Sequence, residues 1–153
     1  MSIESSYNFR KLSGKLTTSG VVSEDTLKSL SEEGYEAVVN LLPQSNEHAV
    51  PEEKEIIESQ GIFYVHIPVD FAAPTKVDLE EFISQLDNMS NKKMHIHCAA
   101  NWRVSAFYSV YAVSKGIWSS DAAKEFIAGL WNPSEYPVWQ KLLKQYGLAE
   151  NDS

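Results

Sequence analysis

The chain has little of several features that mark particular classes of protein. One cysteine among 153 residues cannot form an internal disulfide, which is typical of a reducing compartment. No apolar run comes near the roughly 18 residues that cross a bilayer, and the polar residues 1–10 lack the apolar core of a secretion signal. Positive charge is scarce, since 13 Lys and Arg stand against 21 Asp and Glu, for a formal net charge of −8. These absences argue against a membrane protein and a nucleic-acid binder, and we expect a cytoplasmic location.

What is present is an ordinary globular composition, with 43% hydrophobic and 22% charged residues. The length suits one domain that buries its own core, and neither repeats nor low-complexity tracts interrupt it. We therefore predict a single domain over residues 1–153, with short loose ends at 1–6 and 150–153.

Short β-rich runs alternate with segments of helical periodicity. Strands are predicted at 9–12 and 15–19, as a hairpin around Ser13-Gly14, and then at 37–42, 62–67 and 93–98. Helices are predicted to begin near Ser23, Pro51, Asp78, Arg103 and Ser119 or Ser120, with a last one along 139–146. This alternation predicts an α/β fold with a mostly parallel sheet flanked by helices on both faces. Ligands of such sheets bind beyond the carboxyl ends of the strands.

One such strand end carries the only cysteine. The predicted strand ends at Cys98, and a short loop leads to a helix that begins near Arg103. The free N–H groups and partial positive charge of a helix start favour a thiolate at Cys98 and an anion in the loop. Cys98 could instead be a buried structural residue, as free cysteines often are. An unpaired guanidinium is costly in a core, however, so Arg103 favours an anion site.

The sequence His97-Cys98 followed by Arg103, between a strand and a helix, resembles the signature loop of the protein tyrosine and dual-specificity phosphatase superfamily. Three upstream segments resemble its small bacterial branch called beta-lactamase hydrolase-like: Leu16–Gly20, Val38–Pro43 and Tyr64–Val69. The resemblance covers about residues 9–115, and the order of the segments is more specific than any one of them.

The resemblance implies a cysteine phosphatase that needs no metal or cofactor and hydrolyses phosphomonoesters through a phosphocysteine. Its partner would be a phosphorylated small molecule or a phosphoprotein, with phosphotyrosine-like esters among the expected substrates. Carried over from the superfamily, Cys98 is the nucleophile and Arg103 the clamp on the phosphoryl oxygens. The residues whose amides would complete the phosphate cradle are Ala99, Ala100, Asn101 and Trp102, and those that would support the loop are His97 and Ser105.

The superfamily also uses an aspartic acid on an upstream loop to protonate the leaving oxygen. Asp70 follows the strand predicted at 62–67 and is the candidate for this role, with a solvated turn residue as the alternative. Asp78 is the second candidate, although it fits better as the N-cap of its helix.

The loop departs from the superfamily pattern in several ways. Four residues separate Cys98 from Arg103, where most phosphatases have five, and none of the four is glycine. Val104 directly follows the arginine, where Ser or Thr is usual, and Ser105 comes one later. Two alternatives therefore stay open: a rhodanese-like sulfurtransferase with a persulfide on Cys98, and an inactive phosphate-binding or partner-binding module of the same fold.

The remaining polar and aromatic features have simpler interpretations. The histidines that might suggest a metal, His66, His95 and His97, lack an accompanying metal motif, and we interpret them as hydrogen-bonded interior residues. The aromatic residues of segment 131–139 are predicted to pin a loop to the core more than to wall a cleft. Trp102 is predicted either to line the pocket or to close it from behind. The acidic run of Glu52, Glu53, Glu55 and Glu58 is predicted to be a solvated helix face.

Overall fold

A five-stranded sheet forms the centre of the fold in the computed structural model, which describes residues 2–149. Its strands are β1 (Arg10–Ser13), β2 (Leu16–Ser19), β3 (Ala37–Asn40), β4 (Phe63–His66) and β5 (Met94–His97). They lie in the order β1-β2-β5-β3-β4. The β1–β2 hairpin is antiparallel and the other pairs are parallel, which confirms the predicted hairpin and the mostly parallel sheet.

In the described part of the chain, six α-helices connect or follow the strands: α1 (Glu24–Leu27), α2 (Glu53–Glu58), α3 (Lys76–Asn88), α4 (Trp102–Ser114), α5 (Ser120–Ala128) and α6 (Pro137–Lys144). Short 3-10 turns occur at Ile3–Ser5, Leu30–Glu33 and Pro133–Glu135. Over residues 2–149, no helix has the length and apolar character that crossing a bilayer would take.

The two faces of the sheet pack into separate cores because successive side chains of a strand point to opposite sides. In β3, Val39 belongs to the larger core, which includes Phe82 of α3, Phe107 of α4 and Trp139 of α6. Val38 belongs to a smaller core with Leu27 and Ile57, from the two N-terminal helices. Helices therefore cover both faces, which confirms the predicted α/β architecture.

The end of α1 and the start of α3 differ from their predictions. Helix α1 is capped by Ser23, as predicted, but it ends at Leu27, and a 3-10 turn from Leu30 leads to Gly34 at φ 86°. Helix α3 is capped by Thr75 and not by Asp78, because Thr75 has extended backbone and its hydroxyl accepts the N–H of Asp78 at 3.0 Å. Asp78 lies within the first turn, where a carboxylate favours the helix dipole.

The N-terminal end is packed more closely than its polar sequence indicates. Ile3 is 1% exposed, and its backbone N–H donates to the carboxylate of Glu33 at 3.1 Å. Ser2 donates to the same carboxylate at 2.9 Å. One buried apolar side chain therefore anchors residues 2–6 to the domain. The expectation for residues 150–153 lies outside the described residues.

Candidate active site

The cysteine lies where the topology of the sheet predicts a ligand site. Cys98 directly follows β5, which lies between β2 and β3, and α4 begins four residues later at Trp102. The thiol is fully buried and packs with the larger core, while its backbone N–H donates to Ser19 O at 3.4 Å. Cys98 thus stands between the carboxyl end of a central strand and the positive end of a 13-residue helix.

Arg103 is buried without an anionic partner. The residue is 8% exposed, and it has no salt bridge within residues 2–149. Its guanidinium carbon lies 5.2 Å from the centre of the Phe71 ring, and its Nε has no hydrogen-bond partner there either. A cation–π contact contributes only about 1–2 kcal/mol, less than the desolvation cost of a guanidinium. The arrangement suits a side chain that receives an anion.

Unsatisfied polar atoms concentrate in the same segment. In the described part of the chain, four buried side-chain N or O atoms lack a partner: His97 Nδ1, Asn101 Oδ1, Arg103 Nε and Ser109 Oγ. Buried polar atoms in proteins are nearly always hydrogen-bonded, so each exception requires an explanation. Three of these four lie within residues 97–103, which marks this segment as a candidate ligand site.

Asn101 fixes the shape of the loop. It adopts the left-handed region at φ 67°, which asparagine tolerates better than most residues. Its side-chain amide donates to Asn8 O at 3.0 Å and to Thr18 Oγ1 at 2.9 Å. The side chain of Asn8 in turn donates to Ala100 O at 2.9 Å. The loop contains no glycine, and Asn101 therefore occupies the position that requires a positive φ.

The end of β2 packs directly against the loop. Val21 N–H donates to Ala99 O at 3.0 Å, and Gly20 forms a bridge with Ala100. A Cβ placed on Gly20 would lie 2.5 Å from Ala99 O, so only glycine permits this approach. Sequence reasoning did not assign Asn8, Thr18 or Gly20 to the site. The available signal was a glycine directly after a strand, which often marks a close backbone approach.

His97 pairs with a residue that sequence reasoning placed in solvent. Its Nε2 lies 2.6 Å from Glu53 Oε2, and both side chains are buried. The predicted solvated face is therefore wrong for Glu53, although Glu52, Glu55 and Glu58 are exposed. Glu53 lies four residues before buried Ile57, so the two share the inward face of α2.

Trp102 belongs to an aromatic cluster that comprises Phe71, Trp102, Trp131, Tyr136 and Trp139, and Ser105 is hydrogen-bonded to two of its members. The hydroxyl of Ser105 donates to Trp102 O at 2.8 Å and accepts from Trp131 Nε1 at 2.9 Å. The rings of Trp102 and Trp131 stack with centroids 5.2 Å apart. Ser105 therefore ties the start of α4 to Trp131.

The same cluster pins segment 131–139 to the rest of the domain. Trp139 is fully buried, and its Nε1 donates to Phe71 O at 2.8 Å. Trp131 is 7% exposed. These contacts favour the predicted pinning role over a wall of an open cleft. Trp102 is partly exposed and contacts Phe71, beside Arg103.

Asp70 lies on the loop after β4, one residue before the ring that contacts Arg103. Its side chain is exposed and its Oδ1 accepts the Ala72 N–H at 2.9 Å, while its carbonyl accepts from Ala73 at 3.0 Å. Asp70 is therefore both a turn residue and a carboxylate next to Phe71, the residue that packs on the guanidinium.

His95 and His66, which the sequence alone could suggest as metal ligands, are engaged in hydrogen bonds. His95 is fully buried, with Nδ1 at 2.7 Å from Thr17 Oγ1 and Nε2 at 2.8 Å from Ser19 Oγ. Burial lowers the pKa of His95 well below its usual value, and the neighbouring His97 lowers it further. His66 donates from Nε2 to Leu42 O at 2.7 Å. Residues 2–149 contain no group of three or more side chains that could hold a metal.

Comparison with known proteins identifies the family. A family model described as a DSP-PTPase phosphatase fused to NAD+ kinase matches residues 4–130. The structure of a DUF442 protein from Shewanella putrefaciens CN-32 superposes with a TM-score of 0.85 at 30% identity, over 94% of this chain and 91% of that chain. Comparison with curated proteins gave no match.

More distant structures share the fold. The core catalytic domain of the PP-IP phosphatase SIW14 from S. cerevisiae has a TM-score of 0.74 at 17% identity, over 92% of this chain and 86% of that chain. Tk-PTP has a TM-score of 0.73 at 21% identity, over 91% of this chain and 95% of that chain. On the strength of the family model and the Shewanella structure, the chain belongs to the family of DSP-PTPase phosphatase domains.

Proposed function

We propose that the protein is a cysteine-dependent phosphatase that hydrolyses phosphomonoesters through a phosphocysteine at Cys98. The observation that carries the proposal is the buried guanidinium of Arg103, which has no anionic partner among residues 2–149 and lies at the end of the loop that begins at Cys98. The family supports phosphatase chemistry in general, and the residue roles that follow belong to the proposal.

Binding of the phosphoryl group uses charges that the loop already presents. The N–H groups at the start of α4 and the Arg103 fork take the non-bridging oxygens, and their positive charges favour Cys98 as a thiolate. Because the site is buried, these donors stabilise added negative charge more strongly than they would in water.

The reaction then proceeds in two displacements. The Cys98 thiolate forms a bond to phosphorus while the bond from phosphorus to the ester oxygen breaks, and the leaving oxygen takes a proton from Asp70. Water next attacks the phosphocysteine and gives its proton to the Asp70 carboxylate. The bond from sulfur to phosphorus breaks, inorganic phosphate leaves, and the thiolate returns.

An aromatic phosphoester of the phosphotyrosine type fits the surroundings of Arg103. Phe71 and Trp102 are both partly exposed and both lie beside the proposed phosphate position. Their rings offer flat apolar surface to a phenyl ring whose phosphate is held by the loop. A phosphorylated small molecule or a phosphoprotein could present such a group.

One observation favours a second candidate, an inactive phosphate-binding module. Cys98 has no exposed surface, and its glycine-free loop is held against Gly20, whereas a nucleophile must reach its substrate. The sulfurtransferase alternative has no such support, since the family model and the structures compared above are phosphatase folds.

Turnover of nitrophenyl phosphate by the parent protein and by Cys98→Ser tests the proposal. We expect hydrolysis by the parent and none by Cys98→Ser, with phosphate binding retained, because a hydroxyl is a far weaker nucleophile at neutral pH. Parental activity in Cys98→Ser would overturn the mechanism. Phosphate binding without turnover would indicate the inactive module, and turnover of thiosulfate with cyanide would indicate a sulfurtransferase.

A further inference from the structure

Glu53 and His97 form a buried pair on the face of the sheet opposite the larger core. The side chains are 1% and 3% exposed, and their closest atoms are 2.6 Å apart. In β5, Met94 and Ile96 face the larger core, so His97 projects toward α2. Cys98 packs with the larger core, on the other side of the sheet from Glu53.

His97 is the only basic side chain that pairs with Glu53 within residues 2–149. The other titratable groups on the elements around His97 are His95 on β5, Tyr64 and His66 on β4, Lys54, Glu55 and Glu58 on α2, and Arg103, Tyr108 and Tyr111 on α4. Burial lowers the pKa of His95, which stays neutral, and burial together with the charge of Glu53 raises the pKa of Tyr64, which stays protonated. A buried carboxylate is costly without a hydrogen-bonding partner, and the His97 ring supplies one at 2.6 Å.

Backbone strain coincides with this pair and with the loop. Within residues 2–149, the non-glycine residues with positive φ are Asn8, Glu52 and Asn101. Asn8 and Asn101 hold the cysteine loop, and Glu52 directly precedes Glu53 at φ 62°. Such conformations persist where the surrounding structure fixes them, and they cluster at functional sites. The turn that aims Glu53 into the protein thus resembles the turns that shape the loop.

We propose that Glu53 is a positioning residue of the cysteine site: its buried contact holds His97 in place, and the His97–Glu53 pair in turn favours the reactive thiolate of Cys98. The Nε2 atom of His97 is engaged with Glu53, so the ring cannot rotate without breaking a buried hydrogen bond. The effect of Glu53 on catalysis rests on the phosphatase function proposed above, whereas the effect of Glu53 on the Cys98 thiol does not.

The test is the pH dependence of Cys98 alkylation by iodoacetamide in the parent and in Glu53→Gln, which removes the charge and keeps the size. Because the chain has one cysteine, all alkylation reports on Cys98. We expect the midpoint to rise by about one pH unit, which is about a tenfold loss of thiolate below the midpoint. Glu55→Gln, exposed on the same helix, is the matched control and is expected to keep the parental midpoint.

A double-mutant cycle with His97→Asn separates positioning from general damage to the fold. If Glu53 acts through His97, adding Glu53→Gln to His97→Asn leaves the alkylation midpoint unchanged. Equal shifts with and without His97, or a parental midpoint in Glu53→Gln, overturn the proposal. Should Glu53→Gln fail to fold, Glu53→Asp decides instead, since its shorter side chain loses the 2.6 Å contact and must shift the midpoint.

Kinetics distinguish a failure of this proposal from a failure of the phosphatase function. With an active parent, Glu53→Gln is expected to lower kcat about tenfold on nitrophenyl phosphate with little change in KM. If the parent is inactive, the role of Glu53 is still supported when Glu53→Gln shifts the alkylation midpoint and causes no further shift in the His97→Asn background. The phosphatase function then fails on its own. If the parent is active and the two substitutions shift the midpoint additively, the phosphatase function is supported and the role of Glu53 fails.

Discussion

Gly20 controls the position of the cysteine loop, and its replacement by alanine should damage catalysis more than folding. The new Cβ would lie 2.5 Å from Ala99 O and 2.9 Å from Ala100 Cα, both of them backbone atoms. Ordinary contact begins near 3.4 Å, so the loop must move by about 0.9 Å. A misplacement of about 1 Å costs about a hundredfold in rate, whereas overpacking costs about 1–3 kcal/mol of stability. We expect Gly20→Ala to lose about a hundredfold in kcat/KM while remaining folded.

The assay compares Gly20→Ala with Gly14→Ala, which makes the same substitution in the hairpin turn. Apart from its two chain neighbours, no heavy atom of residues 2–149 lies within 4 Å of a Cβ at Gly14, so this variant should match the parent in both rate and stability. Nitrophenyl phosphate turnover and urea denaturation give the two quantities. A Gly20→Ala variant with the parental kcat/KM would refute the reasoning, because it would show that the loop position does not matter or is not as described.

Three further predictions concern named side chains. Arg103→Lys should weaken binding of inorganic phosphate at least tenfold in calorimetry, because lysine cannot form the bidentate fork, and unchanged affinity would remove Arg103 from the site. Asp70→Asn should slow hydrolysis of an unactivated phosphoester much more than that of nitrophenyl phosphate, and an unchanged ratio of the two kcat/KM values would make Asp70 a turn residue only. Because burial lowers the pKa of His95 below 6.5, its contribution to stability is complete above pH 6.5 and is lost as pH falls below that value. The slope is at most about 1.4 kcal/mol per pH unit, and urea denaturation midpoints that stay constant on both sides of that pH would contradict it.

Local patterns were sufficient to predict the architecture and the place of the cysteine. The hairpin around Ser13-Gly14, the buried run of β3 and the strand that ends before Cys98 each carry a signal within a few residues. The partial positive charge of a helix start follows from the helix itself, so an anion site near Arg103 could be inferred without coordinates.

Tertiary contacts decided what the sequence patterns missed. Glu53 looks like its exposed neighbours in an acidic run, and only its spacing from Ile57 shows that it shares the buried face. The contact of Gly20 with Ala99 joins residues far apart in the chain, so no local pattern contains it. Thr75 replaced Asp78 as the cap because both residue types suit that position and only the backbone conformation distinguishes them.

Direct detection of a phosphoryl group on Cys98 tests the central claim of a covalent mechanism. A reaction with excess nitrophenyl phosphate is stopped within the first turnovers, and the protein is digested and analysed by mass spectrometry. Since the chain has one cysteine, a phosphorylated thiol can lie only at Cys98. We predict that its peptide carries a phosphoryl group in the parent and none in Cys98→Ser. Steady turnover by the parent with no phosphoryl group on that peptide at any time would contradict the account.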